Sequence, residues 1–369
     1  MRRLKPAFRG APWALLAGSL LWLGAGTPAP PPDPLAAEIQ RWAAEIRDNP
    51  SQDPLWLDIK QGSQDLLNRT DEALHNGQRL LALLRLARVR TNLAGASYVI
   101  ARPAQERQAQ ASFEAEWERM GKLLGSDLEP FADRSQAGAF EGIRPAAVRA
   151  VAEAALPQVK VFYEASLEYG KNTQPDSGLF YLGAAQAQRE LGAFCRSLNE
   201  PGSPHPSPPL RALDLELDAL ESRLLAAYRP PASIDRHSEF IVASAALKEA
   251  RELNAAGLAH GALLTYLQAV LRLGLVEPPA AIPEGLSREL EKTVARLSQE
   301  AVDHSLGRLF VEWAQADIAH PTLGGKPTVA AIIANDVLPR YFAALGPPPP
   351  QPPPLEPQTR VTLVRWPYT

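Results

Sequence analysis

Apolar residues recur at helical spacing along most of the chain. Near the start of the body, four of them share one face of a short predicted helix: Leu35, Ile39, Trp42 and Ile46. Their spacing of i, i+4, i+7 and i+11 is that of an amphipathic helix, and Asn49-Pro50 is expected to end it. Period-two alternation, the mark of a half-buried strand, is absent before the last residues. The pattern therefore predicts an all-α fold.

Longer helical patterns follow. Residues 62–100 form one long candidate helix that is apolar on most sides near its centre, so we expect it to be buried. Residues 145–170 predict another helix with a kink at Pro157, and residues 329–345 predict a last helix that is bent or broken near Pro339. Between them, one clean apolar stripe consists of Leu213, Leu217, Leu220 and Leu224.

Proline divides the chain into segments. The chain of 369 residues holds 36 prolines, about twice average usage, and many of them cluster between the helical patterns. The predicted organisation is a signal peptide (1–26), a flexible leader (27–34), an N-terminal helical region (35–200), a Pro-rich linker (201–209), a C-terminal helical region (210–345), a polyproline linker (346–358) and an extended tail (359–369).

The first residues have the layout of a secretory signal peptide. A basic stretch with Arg2, Arg3 and Lys5 precedes a charge-free run from Ala11 to Gly26 that ends in small residues. This run is shorter than the ~20 residues that a membrane-spanning helix needs. We therefore expect a periplasmic or secreted protein with no transmembrane span after signal removal. An uncleaved signal that anchors the protein in the membrane is the alternative.

The C-terminal tail is the only candidate strand. Its alternating residues, between Thr359 and Thr369, follow the polyproline segment, which is expected to be extended. A single strand cannot satisfy its own backbone hydrogen bonds, so it either frays or pairs with the sheet edge of a partner protein. The candidate partner-binding residues are Val361, Leu363, Val364, Trp366 and Tyr368.

Two stretches share the spacing of packed helical hairpins. Gly77 is followed by Ala82, and Gly257 is followed by Ala262, Tyr266 and Ala269, with small or apolar residues at +5, +9 and +12 in both. Glycine closes such a turn in a left-handed conformation, and an alanine five residues later lets the two helices approach closely.

The stretch 246–270 resembles one tetratricopeptide-repeat unit, because Gly257, Ala262, Tyr266 and Ala269 fall on that family's turn, small and aromatic positions. It departs from the family at Glu249-Ala250, where Leu-Gly is preferred. Together with two weaker stretches, one around Gly77 and one at residues 179–183, the resemblance covers about a quarter of the chain. It implies a superhelix of antiparallel helix pairs with a concave protein-binding surface. An irregular helical bundle is the other architecture that the pattern allows.

Composition and charge exclude several classes. A net charge of −3 provides no global basic field for nucleic acid or an anionic membrane, so neither partner is expected. Hydrophobic residues make up 46% of the chain, which excludes an intrinsically disordered body. Cys195 is the single cysteine, so no internal disulfide can form, and we expect this side chain to be buried.

No catalytic, cofactor or metal-binding motif stands out, so no cofactor is expected. Asp303-His304-Ser305 contains the residue types of a hydrolase triad, but consecutive helix residues point about 100° apart. Asp214, Asp218 and Glu221 line one predicted helix edge, which favours a solvated face. Arg85 and Arg88 interrupt the most apolar helix, where they snorkel, pair with carboxylates or form an anion site.

These observations favour a non-enzymatic exported scaffold that binds another envelope protein. Two alternatives stay open. The first is an exported α-helical hydrolase or lyase whose site is assembled from distant helices, and it requires a pocket with two carboxylates or a histidine and a carboxylate. The second is a carrier of apolar ligands, which requires a closed apolar cavity.

Overall fold

The computed structural model confirms an all-α fold. It describes residues 33–128, 138–171, 174–198, 205–229, 234–279, 281–299, 302–321 and 325–346, and no β-strand occurs in these ranges. The helices are α1 (Pro34–Asp48), α2 (Pro54–His75), α3 (Arg79–Ile100), α4 (Ala104–Arg107), α5 (Gln110–Leu124), α6 (Ala146–Lys171), α7 (Pro175–Ser197), α8 (Asp214–Ala227), α9 (His237–Ala255), α10 (Ala259–Val276), α11 (Leu286–Gln299), α12 (Ser305–Ala319), α13 (Thr328–Ile332) and α14 (Leu338–Ala343).

The predicted signal peptide and the extended tail lie outside the described residues, and so do most of the leader, residues 201–204 of the Pro-rich linker and most of the polyproline linker. The N-terminal and C-terminal helical regions are described almost completely. In α1 the four residues with helical spacing are all buried, as their period predicts. The stripe that begins at Leu213 is likewise buried along α8.

The long helix predicted for residues 62–100 is wrong in one respect, because two helices occupy this range. α2 ends at His75 and α3 begins at Arg79. Gly77 lies between them with a φ of 74°, a backbone conformation that residues with a Cβ rarely adopt. The Gln78 N–H donates to the Ala73 carbonyl oxygen at 2.8 Å, which closes the C-terminus of α2 as a Schellman turn. The apolar period continues through the turn, so periodicity alone does not reveal the break.

The same turn recurs between α9 and α10. Gly257 has a φ of 73°, and the Leu258 N–H donates to the Leu253 carbonyl oxygen at 3.0 Å. α2 packs against α3, α6 against α7 and α9 against α10, so three pairs of successive helices form hairpins. The hairpins also pack on one another, because α3 contacts α7 and α6 contacts α10.

One continuous hydrophobic core joins the two helical regions. It contains Leu86 and Val151 from before the Pro-rich linker and Leu267 and Phe310 from after it, all almost fully buried. A smaller core cluster lies where α5 packs on α6 and α7, around Phe113 and Met120. Burial of this shared core therefore holds the hairpins in a fixed arrangement.

The last helical stretch is broken where the sequence predicts it. A π-helical turn at Ile333–Val337 separates α13 from α14, and Pro339 follows in the first turn of α14. Proline has no N–H and its ring collides with the preceding turn, so the wider π turn accommodates it. Beyond α14, Leu345 forms an antiparallel bridge with Leu210, which ties together the two ends of the C-terminal region.

α10 lies at the centre of the core. Among the described residues it is the one helix that is long and apolar enough to cross a membrane, and 78% of it is buried inside the protein. A core helix of a folded domain has the same properties.

Candidate binding groove

A groove opens between the stacked hairpins. α3 forms one wall, α9 and α10 form the other, and α6 and α7 lie between them. Its volume is about 390 Å³. We call this feature the central groove, and its lining includes Arg88, Thr91, Asn92, Gln158, Phe162, Gln188, Glu249, Thr265 and Gln268.

Remote carboxylates position both walls. The Leu81 N–H in the first turn of α3 donates to Glu312 Oε2 of α12 at 2.8 Å. At the start of α10, the Gly261 N–H donates to Glu153 Oε2 of α6 at 2.7 Å, and Arg149 donates to the other oxygen of Glu153 at 2.7 Å. Neither α3 nor α10 has a side-chain cap of its own, so these carboxylates satisfy free N–H groups and fix where each wall begins.

Amide and hydroxyl side chains dominate the polar surface of the groove. Gln188 donates to Thr91 Oγ1 at 2.7 Å, and that hydroxyl donates to the Ala87 carbonyl oxygen at 2.9 Å. In contrast, the side chains of Asn92 and Gln268 have no hydrogen-bond partner within the described part of the chain. They are therefore available to donors and acceptors of a bound molecule.

Glu249 is the carboxyl group of the groove. Burial raises its pKa to about 7, and a hydrogen bond from the Gln158 side chain opposes this rise. Glu252 raises the pKa further, while Lys248 lowers it. Near neutral pH the carboxyl group therefore exists in both protonation states and can either donate or accept a hydrogen bond.

One feature of the sequence marks Glu249 as unusual. The tetratricopeptide-repeat resemblance fails at this residue, because an acidic side chain stands at a position where the family has an apolar one. An ionisable residue at a packing position is a candidate for function. Gln158 and Gln268 carry no such signal, because neutral polar residues on helices are common.

Four of the six predicted hairpin-packing residues lie in the core, close to the groove but not on its surface, whereas Gly77 and Gly257 lie at the exposed turns of their hairpins. Ala82, Ala262 and Ala269 are almost completely buried. Tyr266 is also buried, and its hydroxyl oxygen accepts a hydrogen bond from Arg340 of α14 at 3.0 Å. α10 is therefore attached to the C-terminal helices as well as to its hairpin partner. The predicted tail residues, Val361, Leu363, Val364, Trp366 and Tyr368, lie outside the described residues.

The Asp303-His304-Ser305 triplet does not form a triad. Asp303 Oδ2 accepts from the Ala146 N–H at 2.6 Å, and Ser305 Oγ accepts from the Ala147 N–H at 2.9 Å, so both side chains cap the start of α6. The Nδ1 atom of His304 instead lies 2.9 Å from the Tyr341 hydroxyl oxygen. All three residues are buried, and the geometry gives them a structural role.

The other charged candidates also lie at different places in the structure and form no common site. Arg251 bonds to Asp218 at 2.8 Å and to Glu221 at 2.7 Å on an exposed surface, in agreement with a solvated helix face. Arg85 and Arg88 do not share one site. Arg88 lines the central groove, whereas Arg85 lines a different cleft beside α2 and α12.

Among the described residues, no group of three or more His, Cys, Asp or Glu side chains is arranged to hold a metal ion. The central groove contains one carboxyl group and no histidine in its lining. Its chemistry is that of hydrogen bonding by amides, hydroxyls and one ionisable acid. A comparison of the chain with protein-family models, with curated proteins and with solved structures finds no match.

Proposed function

We propose that this protein is an exported helical scaffold that binds another protein of the cell envelope, with an extended segment of that partner in the central groove. The observation that carries the proposal is the lining of the groove, in which the unpartnered amides of Asn92 and Gln268 lie on opposite walls. An extended peptide exposes main-chain N–H and C=O groups on both sides, and a side-chain amide can pair with either.

The charges of the groove support the same occupant. Arg88 on α3 is exposed, whereas Glu249 on α9 is half-buried on the opposite wall. The groove therefore presents one cationic edge and one acid of variable charge. A partner segment that is mostly neutral, with an acidic residue on the Arg88 side, fits these walls.

The enzyme alternative receives less support from this site. That alternative requires two carboxylates or a histidine and a carboxylate in one pocket, and the described lining of the groove supplies one carboxyl group, Glu249, and no histidine. The tail is a second candidate binding site for the partner, and a pull-down with and without the tail distinguishes the two sites.

The test is an affinity pull-down from the native envelope with the chain from Thr27 to Thr369. The groove variant combines Asn92→Ala with Gln268→Ala. Its matched control combines Asn68→Ala with Gln61→Ala, which removes the same two amides from exposed positions of α2. A further chain ends at Leu345 and lacks the tail.

A partner that is recovered by the full chain and the control but lost by the groove variant would support the proposal. Recovery by the groove variant and loss on tail removal would move the binding site to residues 359–369. Equal recovery by all four chains would refute both sites, and no recovery by any chain would count against the scaffold function itself.

A further inference from the structure

A second hollow lies on another face of the molecule, between α2, α3 and the end of α12. Its volume is about 590 Å³, within the range of small-molecule sites. We call it the arginine cleft. Its lining includes Arg69, Asn76, Gln78, Arg85, Trp313 and His320.

Among the described residues, no carboxylate forms an ion pair with Arg85. The Nη1 atom of Arg85 donates to the Arg69 carbonyl oxygen at 2.7 Å. Burial lowers the pKa of Arg85, the nearby Arg69 guanidinium lowers it further, and Glu72 opposes the shift. A bound anion would therefore offset the unfavourable burial of the Arg85 charge and its repulsion by Arg69.

The two acids in the described lining of the cleft, Glu72 and Asp317, are already engaged. Glu72 Oε1 lies 2.9 Å from His320 Nε2. Asp317, which is buried, accepts a hydrogen bond from the Ala330 N–H through its Oδ2 atom at 3.0 Å, at the start of α13. Neither carboxylate is within ion-pair distance of Arg85, so its guanidinium has unused donors on the cleft side.

The cleft also offers an apolar surface. Trp313 is half-buried in its lining and stacks on Phe310, with ring centroids 6.3 Å apart, so the indole ring is held in place. Asn76 and Gln78 add amide donors from the turn between α2 and α3.

We propose that the arginine cleft binds a small organic oxyanion, a carboxylate or a phosphate group carried on an apolar or aromatic skeleton. The guanidinium groups of Arg85 and Arg69 bind the oxyanion, because their planar forks match its geometry. The Trp313 ring packs against the skeleton. This site is separate from the central groove, and it does not depend on whether the groove binds a protein.

Isothermal titration calorimetry on the purified chain tests the proposal with three probes: benzoate, phenyl phosphate and inorganic phosphate. Benzoate and phenyl phosphate distinguish the two oxyanions, and inorganic phosphate lacks the skeleton. The variant Arg85→Gln is compared with Arg288→Gln, which removes the same charge from an exposed position of α11 that lines neither the cleft nor the central groove. Thermal unfolding without ligand shows whether each variant is folded.

We expect saturable binding of benzoate, phenyl phosphate or both, weakened about tenfold or more by Arg85→Gln and little changed by Arg288→Gln. Trp313→Ala is expected to weaken phenyl phosphate until it binds no better than inorganic phosphate. Absence of binding by both aromatic probes overturns the proposal. Equal weakening by Arg85→Gln and Arg288→Gln also overturns it, because the effect would then come from net charge and not from the cleft.

Discussion

The buried side chain of His260 is expected to make the stability of the protein depend on pH. It lies in the first turn of α10 and its side chain is 8% exposed. Neither ring nitrogen has a hydrogen-bond partner among the described residues. Burial lowers its pKa to about 4, the positive charge of Arg149 lowers it further, and Asp303 opposes the shift.

The sign of the effect follows from linkage. An unfolded histidine with a pKa near 6.5 binds its proton before the folded one does, so stability falls as the pH drops through the interval from 6.5 to 4. With these two pKa values, the loss between pH 7 and pH 5 is about 2 kcal/mol. Below pH 4 the full loss is about 3 kcal/mol.

The substitution His260→Leu removes this titration and keeps an apolar side chain of similar size. We expect the variant to gain about 2 kcal/mol relative to the native chain when both are moved from pH 7 to pH 5. The assay is urea unfolding of both chains at the two pH values. His75→Gln, at an exposed position of α2, serves as the control for the loss of an imidazole.

The comparison has to be made between chains, because other groups act in the opposite direction. Burial raises the pKa of Glu249 and of Glu312 to about 7, so protonation of each one stabilises the fold as the pH falls from 7 towards 4.5. Each can contribute up to about 2 kcal/mol between pH 7 and pH 5, and together they can mask the histidine in the native chain alone. Parallel pH profiles of the native chain and His260→Leu would refute the reasoning.

Three further outcomes are expected. Glu249→Gln removes the carboxyl group whose protonation stabilises the native chain at low pH. From pH 7 to pH 5, urea unfolding should therefore show the free energy of unfolding of the native chain rising by up to about 2 kcal/mol relative to the variant. A constant difference between the two chains would contradict the raised pKa of Glu249. Gly257→Ala should lower the free energy of unfolding in urea by about 1 kcal/mol or more, because the φ of Gly257 is 73°. Gly192→Ala, inside α7 with open space around an added Cβ, should raise it by up to about 1 kcal/mol. Equal effects of the two substitutions would argue against a left-handed turn at Gly257. Cys195 is buried and its thiol pKa is raised to about 12, so a thiol reagent such as Ellman's reagent should label it only as fast as the protein unfolds; rapid labelling under native conditions would show that it is accessible.

The helices and their hairpin turns were largely predictable from local sequence. The burial of Leu35 and Ile39 follows from a 3.6-residue period, and the turns at Gly77 and Gly257 follow from the freedom of glycine at positive φ. The long helix predicted for residues 62–100 failed because α2 and α3 present apolar residues with nearly the same phase on either side of Gly77. Both the successes and this failure come from interactions within about one or two turns of helix.

The central groove and the arginine cleft depend instead on contacts between residues that are far apart in the chain. Arg85 and Arg88 are three residues apart, yet α12 closes the cleft around the first, whereas α6, α9 and α10 line the groove beside the second. The Ala146 N–H and the Asp303 carboxylate that caps it are 157 residues apart. The sequence by itself determined where the chain is helical, because that depends on neighbouring residues. Only the tertiary structure decided which polar groups are buried, paired or left available, because burial and pairing depend on the helices that pack around them.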